Sequence, residues 1–347
     1  MIPRSKAGVS GALHPVRRLL IMVLGAAAVI IAAVLILGLW TVWTFNGPGP
    51  LAGRRASTDV VLRPGASLPE IAAALGRKHL IASPAVFVAA AQITGAARHL
   101  KAGEYEFPSR TSMKQILLAI REGDVVRHLV TIPEGVTSEA ATAILMHSPH
   151  LTGVVPVAPE GAILPETYET QRGEDRAAVL QRMMDARDSL LAALWRRRRS
   201  GLPYQSPDQA VVLASIVEKE TALAAERPRI AAVFVNRLEH GMRLESDPTV
   251  IYGLSGGKPL GHGLRASELA LLTPYNTYLI DGLPPTPIGN PGRAALAAVL
   301  DPPRTSELYF VADGYGGHVF AASLEAHQKN VARWRALEKT RPPKAPS

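Results

Sequence analysis

Two carboxylates, Glu218 and Glu220, close a stretch that is otherwise apolar: Ala210-Val211-Val212-Leu213-Ala214-Ser215-Ile216-Val217-Glu218-Lys219-Glu220-Thr221. A carboxyl that leaves a buried helix for a cleft has its charged form destabilised by desolvation. It can then stay protonated near neutral pH and donate that proton, which is general-acid chemistry. The helix that must carry the pair has a clear start: Ser206-Pro207-Asp208-Gln209 supplies a cap hydroxyl, a proline at the first helical position, an early acid and a capping-box amide. Neighbours of Glu218 at helical spacing are Val211, Ala214, Ser215, Thr221 and Ala222, mostly small or hydroxylated, whereas those of Glu220 are Leu213, Ile216, Val217, Leu223 and Ala224. Glu218 is therefore expected to face space and Glu220 to face packing. The competing reading pairs Glu218 with Lys219, Arg227 or Arg237 as an ordinary helix-end carboxylate; for Glu220 a structural ion pair, with Arg237 as candidate partner, is expected.

The rest of the chain limits which chemistry this can be. With 347 residues there is ample material for a core, and with no cysteine there is no disulfide, thiolate metal site or cysteine nucleophile. From Leu19 to Trp43 no residue is ionisable. As a helix this run is about 37 Å long against a hydrocarbon thickness of about 30 Å, so one helix can span a membrane. Arg4, Lys6, Arg17 and Arg18 precede it, Thr44 to Gly53 carry no charge, and Trp40, Trp43 and Phe45 suit an interface. These features favour an uncleaved single-pass anchor with a cytoplasmic N-terminus over a signal peptide, and they disfavour a channel or transporter. The formal net charge is +9, but the run Arg196 to Arg199 reads as a solvated helix end, and no stacking aromatics interleave with the basic residues, so nucleic acid is not expected as a partner. His318, after Gly316-Gly317 in a hairpin-like turn, has no partner histidine at ligand spacing, and no metal or other cofactor is expected.

The elements that must position the acid follow from caps and periodicity. After the linker Asn46-Gly47-Pro48-Gly49-Pro50, Asp59 to Leu62 reads as a strand, Ser67-Leu68-Pro69-Glu70 as a capping box and Ser83-Pro84 as a second helix start. Gly103 to Phe107 reads as a returning strand, Ser112 to Gln115 as another capping box, and Val125 to Ile132 as a further strand. Leu62-Arg63-Pro64-Gly65-Ala66-Ser67 echoes Ile132-Pro133-Glu134-Gly135-Val136-Thr137, which suggests one supersecondary unit used twice. The strand-helix-helix-strand order is similar to LysM modules, which would imply glycan binding; a small packing domain without glycan affinity is the alternative. The expected class is α+β: residues 1–18 cytoplasmic, 19–43 transmembrane, 44–57 linker, 58–128 a LysM-like βααβ module, 129–337 a larger mixed α+β catalytic domain and 338–347 a disordered tail.

Downstream of Glu218 come Val233-Phe234-Val235-Asn236-Arg237-Leu238, Leu244-Glu245-Ser246-Asp247-Pro248, Thr273-Pro274-Tyr275-Asn276-Thr277-Tyr278, Gly282-Leu283-Pro284-Pro285, Ile288-Gly289-Asn290-Pro291-Gly292 and Leu308 to Gly314. In this order they resemble the endolytic murein transglycosylases of the YceG-like family, and Glu218 falls on that family's catalytic glutamate. The resemblance covers about Val130 to Val331. It implies cleavage of the β-1,4 bond between N-acetylmuramic acid and N-acetylglucosamine in nascent peptidoglycan, without water and leaving 1,6-anhydro ends. It implies an inner-membrane protein facing the periplasm, glycan strands as substrate and peptidoglycan synthases as partners. On the sugar side it directs attention to Asn236, Asn276 and Asn290 for amide hydrogen bonds and to Tyr252, Tyr275 and Tyr278 for flat apolar faces. Glu166, in Leu164-Pro165-Glu166-Thr167-Tyr168, and Asp247 are the carboxylates to test as partners of Glu218, with Asp247 better explained as a helix N-cap. Glu220, Arg237 and Asp247 are assigned to structure beside the site. The final helix departs from the family's Thr-x-x-Glu-His-Asn, reading Ser323-Leu324-Glu325-Ala326-His327-Gln328. A hydrolytic muramidase and a non-catalytic wall-binding tether are the rival functions.

Overall fold

The computed structural model describes residues 15–51 and 56–340; Arg4, Lys6 and the chain from 341 onward, on which some expectations rest, lie outside them. The molecule is a mixed α+β protein of two compact units that divide between Val126 and Arg127.

The first unit begins with helix α1, Pro15–Asn46, whose stretch Arg17–Asn46 is long and apolar enough to cross a membrane. At its far end Phe45 packs against the core of the same unit. Beyond it, Gly49 donates its amide to Arg110 O at 3.1 Å and Arg110 donates back to Pro50 O at 3.2 Å, so the Gly-Pro segment is pinned to a turn. Strand β1 (Ser57–Leu62) is followed by helices α2 (Leu68–Arg77) and α3 (Pro84–Ile93), strand β2 (Gly103–Pro108) and helix α4 (Met113–Glu122). β1 and β2 pair antiparallel, with Leu62 opposite Gly103 and Ser57 opposite Pro108. Alternation places Val60, Leu62, Tyr105 and Phe107 inside, where they meet the α4 face Met113, Ile116, Leu117 and Ile120. The expected caps are present: Ser112 Oγ accepts the Gln115 amide at 3.3 Å while Gln115 Oε1 accepts the Ser112 amide at 3.1 Å. Burying side chains such as Ile116 and Ile120 stabilises the unit by about 1.5–3 kcal/mol each.

In the second unit, strand β3 (His128–Thr131) pairs antiparallel with β4 (Thr167–Thr170), His128 opposite Thr170, with helix α5 (Ser138–His147) between them in sequence. β3 is shorter than the expected Val125 to Ile132, because the Val126 amide goes to Glu104 O at 2.7 Å, within the first unit. The repeat is visible in the backbone. Gly65 and Gly135 both take positive φ, +78° and +76°, and the caps Ser67 and Thr137 that follow have φ, ψ of −69°, 156° and −69°, 158°.

Helix α6 (Arg176–Arg196) leads to α7 (Pro207–Glu220), which starts at Ser206 as expected, the Ser206 hydroxyl accepting the Gln209 amide at 3.2 Å. Then come α8 (Arg227–Glu239), α9 (Asp247–Ser255), α10 (Ala266–Leu269), α11 (Arg293–Leu300), strands β5 (Tyr309–Ala312) and β6 (His318–Ala321), and α12 (Leu324–Thr340), which runs past the expected domain end at 337. β5 and β6 form an antiparallel hairpin with Ala312 opposite His318. Helix α7 is the hub: every residue from Ala210 to Glu218 is buried, with Leu213, Ile216 and Val217 packed among Ile230 and Phe234 of α8 and Leu296 and Val299 of α11. A helix apolar all round needs cover on all sides, and α8 and α11 help provide it.

Candidate active site

Glu218 lies at the last turn of α7, where the helix stops being wrapped by apolar side chains and meets two loops. One, Ile132 to Val136, follows β3; the other, Ile288 to Gly292, precedes α11. The loops are cross-bonded, Gly135 N donating to Asn290 O at 2.8 Å and Asn290 N to Val136 O at 2.9 Å. Gly135 sits over the acid so closely that a Cβ there would stand 3.4 Å from Glu218 Cγ, and its φ of +76° favours glycine in any case.

The carboxylate is enclosed more tightly than its small neighbours on the helix suggested, with only 3% of its side chain exposed. Glu218 Oε2 accepts the Gly292 amide at 2.8 Å, and Oε1 meets Arg227 Nη2 at 2.7 Å. The same Nη2 donates to Glu134 Oε2 at 3.0 Å, so one guanidinium nitrogen serves two carboxylates. Burial pushes the Glu218 carboxyl above the usual carboxylate range; the Gly292 N–H opposes this, the negative charge of Glu134 adds to it, and Arg227 and Lys219 pull against it. The outcome is upward. The neighbouring Lys219 has its ammonium held below the usual lysine range by burial, partly offset by Glu160 and Glu218.

Glu160 is the carboxylate that residue types did not single out. Burial raises its pKa against the Ser138 amide that it accepts, and its second oxygen is buried with no partner among the described groups. It lines a cleft of about 540 Å³ bounded by Pro159 to Ala162, Val211, Val212 and Pro285 to Pro287. Glu218 does not itself line that cleft, but Lys219 feels both carboxylates. Next to it, Tyr275 bonds Thr286 through their hydroxyls at 2.8 Å and meets Tyr252 edge to face with centroids 4.9 Å apart. Tyr252 lies near the Gly135 loop, since a Cβ at Gly257 would meet both Tyr252 and Thr137.

Glu220 departs from the expected ion pair. Its carboxylate accepts the Ser246 hydroxyl, while Arg237 pairs with Glu245 at 2.9 Å and donates to Leu308 O at 2.7 Å. Burial, together with the charge of Asp247, raises Glu220 to about 7 against the opposing Ser246 hydrogen bond. Asp247 is not the cap of α9: Ser246 holds that position, and Asp247 instead accepts the Tyr278 hydroxyl at 2.7 Å from the first turn. Glu166 is ion-paired with Arg293 at 2.7 Å.

The three asparagines expected at the sugar are committed to the chain itself. Asn236 Nδ2 donates to Thr305 O and Glu307 O, at 2.9 and 2.8 Å. Asn276, fully buried, donates to Leu269 O and Leu271 O and accepts the Tyr278 amide. Asn290, also fully buried, accepts Ile163 N–H and donates to Val136 O and Ser138 Oγ. Loops without regular hydrogen bonding must satisfy their backbone groups somehow, and buried amides do that here. His318 Nδ1 meets Glu226 Oε2 at 2.7 Å on the β5–β6 hairpin. Among the described residues no group of three or more His, Asp or Glu side chains is arranged to hold a metal ion.

Residue types singled out Glu218 and, in the competing reading, offered Arg227 as its ion-pair partner, and that pair is present at 2.7 Å; Glu134, Glu160 and Gly292 around it were not singled out. The available signal was two glycine-bearing segments, Pro133-Glu134-Gly135, a turn with Gly135 at positive φ, and Asn290-Pro291-Gly292, an extended lead into α11.

Comparison with known proteins bears on this constellation. A family model described as the YceG-like family matches residues 60–333. A Bacillus subtilis protein named endolytic murein transglycosylase is 30% identical over 223 residues, covering 64% of this chain and 58% of that protein. A protein of the same name from Streptococcus pneumoniae strain D39 is 28% identical over 282 residues, covering 67% of this chain and 50% of its own length. This chain therefore spans little more than half the length of these curated relatives. The crystal structure of a yceG-like protein from Listeria monocytogenes aligns with a TM-score of 0.50 at 27% identity, over 79% of this chain and 98% of that one. The family match takes in Glu134, Glu160, Glu218, Arg227 and Gly292 together, and the chain belongs to the YceG-like family.

Proposed function

We propose that this protein is an endolytic murein transglycosylase whose proton donor and acceptor is Glu218. The observation that carries this reading is a buried carboxyl with a raised pKa, held between a backbone amide and a shared guanidinium at the end of a fully packed helix. In its acid form Glu218 gives its proton to the glycosidic oxygen as the bond to the muramyl anomeric carbon breaks, the electron pair leaving with that oxygen. The muramyl 6-hydroxyl then attacks the anomeric carbon and returns a proton to the carboxylate, closing a 1,6-anhydro ring with no water consumed. Tyr252 and Tyr275, beside the cleft that Glu160 lines, offer the aromatic surface a saccharide needs. Asn236, Asn276 and Asn290 serve as scaffold for that surface, not as sugar ligands.

Helix α1 supports a single-pass anchor in the inner membrane, with the folded units in the periplasm and nascent strands as substrate; tethering raises effective concentration near new wall. The first unit, with its strand-helix-helix-strand order, is assigned as a LysM-like glycan-holding module, and peptidoglycan synthases as partners.

One observation favours a second reading. Glu134 approaches the nitrogen that Glu218 holds, and a nearby second carboxylate is what a hydrolytic muramidase needs. Mass spectrometry of digested glycan strands decides: anhydro-muramyl ends support the transglycosylase, and reducing muramyl ends alone reject it. Glu218→Gln, which keeps shape and removes the proton, is expected to lower cleavage about 10²–10⁴-fold. Wild-type rates in that variant would remove Glu218 from the mechanism, and no cleavage by the intact protein would leave the tether.

A further inference from the structure

We propose that Glu134 and Arg227 are positioning residues for the Glu218 proton: Arg227 moves toward Glu134 when Glu218 is the acid and back toward Glu218 when it is the carboxylate. This inference rests on the reading of Glu218 as proton donor.

Three features carry it. Arg227 Nη2 lies within 3.0 Å of an oxygen of each carboxylate, so passing from one to the other is a small rotation of a single side chain. The two carboxylates differ in surroundings, Glu134 with 41% of its side chain exposed and Glu218 with 3%. Glu134 therefore has water as well as Arg227 for company, while Glu218 depends on protein groups for its charge. Gly292 is the third: a Cβ there would occupy the Glu134 carboxylate, so the glycine leaves the room in which Glu134 approaches.

The charge arithmetic then favours a proton. Facing Glu218 are Arg227 from α8, Lys219 from its own helix, Glu134 from the loop after β3 and, from the loop before α11, only the neutral amide of Gly292. Glu160 acts on Lys219 from the segment before β4. Glu134, Glu160 and Glu218 set against Arg227 and Lys219 carry a net charge of −1 when all are ionised, and protonating the enclosed Glu218 removes it. When the proton passes to the leaving oxygen, the new carboxylate recovers Arg227; when the 6-hydroxyl returns a proton, Arg227 is released again. Without Glu134, Arg227 would remain on Glu218 and hold it ionised.

The test is the pH dependence of glycan cleavage by the detergent-solubilised full chain. Activity that requires an acid falls on the alkaline side. In Glu134→Gln that fall is expected at lower pH by about one unit, a roughly tenfold relative loss on the alkaline side with the acid side spared. In Arg227→Gln the fall moves to higher pH, and Glu134→Asp restores the wild-type position. Rates lowered by the same factor at every pH, in folded Glu134→Gln and Arg227→Gln alike, would overturn the proposal. Should either glutamine variant fail to fold, the charge-removing Glu134→Ala and Arg227→Met are compared by NMR titration of ¹³C-carboxyl-labelled Glu218. An unmoved titration in both would overturn it too, and opposite displacements would support it. Glu218→Gln separates the two levels: if it cleaves at wild-type rate the mechanism itself is wrong, whereas an inactive Glu218→Gln with an unmoved profile in the others condemns only the sharing of Arg227.

Discussion

Gly292 gives its backbone N–H to Glu218 at 2.8 Å, and the same residue has no space for a side chain because the Glu134 carboxylate fills it. A methyl group at Gly292 must push Glu134 aside, which is inexpensive for the fold since the obstacle is the end of a half-exposed side chain. Gly289 differs: a Cβ there would lie 2.6 Å from the Gly135 carbonyl oxygen, which belongs to the backbone. Gly289→Ala is expected to destabilise by about 1–3 kcal/mol, measured by urea unfolding, and Gly292→Ala by less. Cleavage rate should nevertheless fall in Gly292→Ala; an unchanged rate there would show that Glu134 need not stand where it does.

Asn290→Ala removes an acceptor from Ile163 N–H and donors from Val136 O and Ser138 Oγ, all within the packing. Val136 O keeps the backbone N–H of residue 290 and Ser138 Oγ keeps Pro159 O, so Ile163 N–H alone is left unsatisfied and a drop in unfolding free energy of about 1–3 kcal/mol is expected. If the variant instead unfolds like wild type and only its KM rises, Asn290 is a sugar ligand after all.

Glu220 ties stability to pH. Its folded-state pKa of about 7 lies above that of an ordinary carboxylate, so the folded chain keeps a proton that the unfolded chain releases. That favours the folded state at low pH, and the advantage is lost as pH rises to about 7. Glu220→Gln still accepts the Ser246 hydroxyl and has nothing to ionise. Relative to wild type it should gain of the order of 2 kcal/mol between pH 4.5 and 8 in urea unfolding. Parallel stability curves for the two proteins across that range would rule this out.

Tyr275→Phe removes only the hydroxyl contact to Thr286, whereas Tyr275→Ala also removes the ring that packs on Tyr252. If those rings carry a saccharide, KM for glycan strands should rise roughly threefold to tenfold in the alanine variant and little in the phenylalanine one. Equal KM values in all three proteins would take the aromatic pair out of the binding surface.

Much of the fold was legible because its signals are local. Ser206-Pro207-Asp208-Gln209 starts α7, Ser112 and Gln115 close a capping box, and the alternation of Tyr105 and Phe107 marks the inner face of β2, all within a few residues of the feature they specify. The buried helix that carries Glu218 was legible from the apolar run before it. Of the surroundings of that acid only the pairing with Arg227 was among the readings offered; Glu134 and Gly292 come from two loops, and helical spacing around Glu218 says nothing about what arrives from elsewhere. The space expected over Glu218 is filled by those groups, and the packing expected around Glu220 includes a hydroxyl and not a cation. The hydrogen-bond partners of the asparagines were hidden for a related reason. Their side chains suit a sugar and a carbonyl equally well, and only the loop geometry tells which is offered.

Asn290 reaches across 127 positions to Ile163 and 154 to Val136, and Gly292 reaches back 74 to Glu218. During synthesis the helix bearing the acid emerges well before the turn that completes its setting, so a nascent or prematurely terminated polypeptide would hold the reactive group without its environment. Such distant partnerships are slow to close. The setting of Glu218 is therefore complete only once the segment near residue 292 has been made and has found its place.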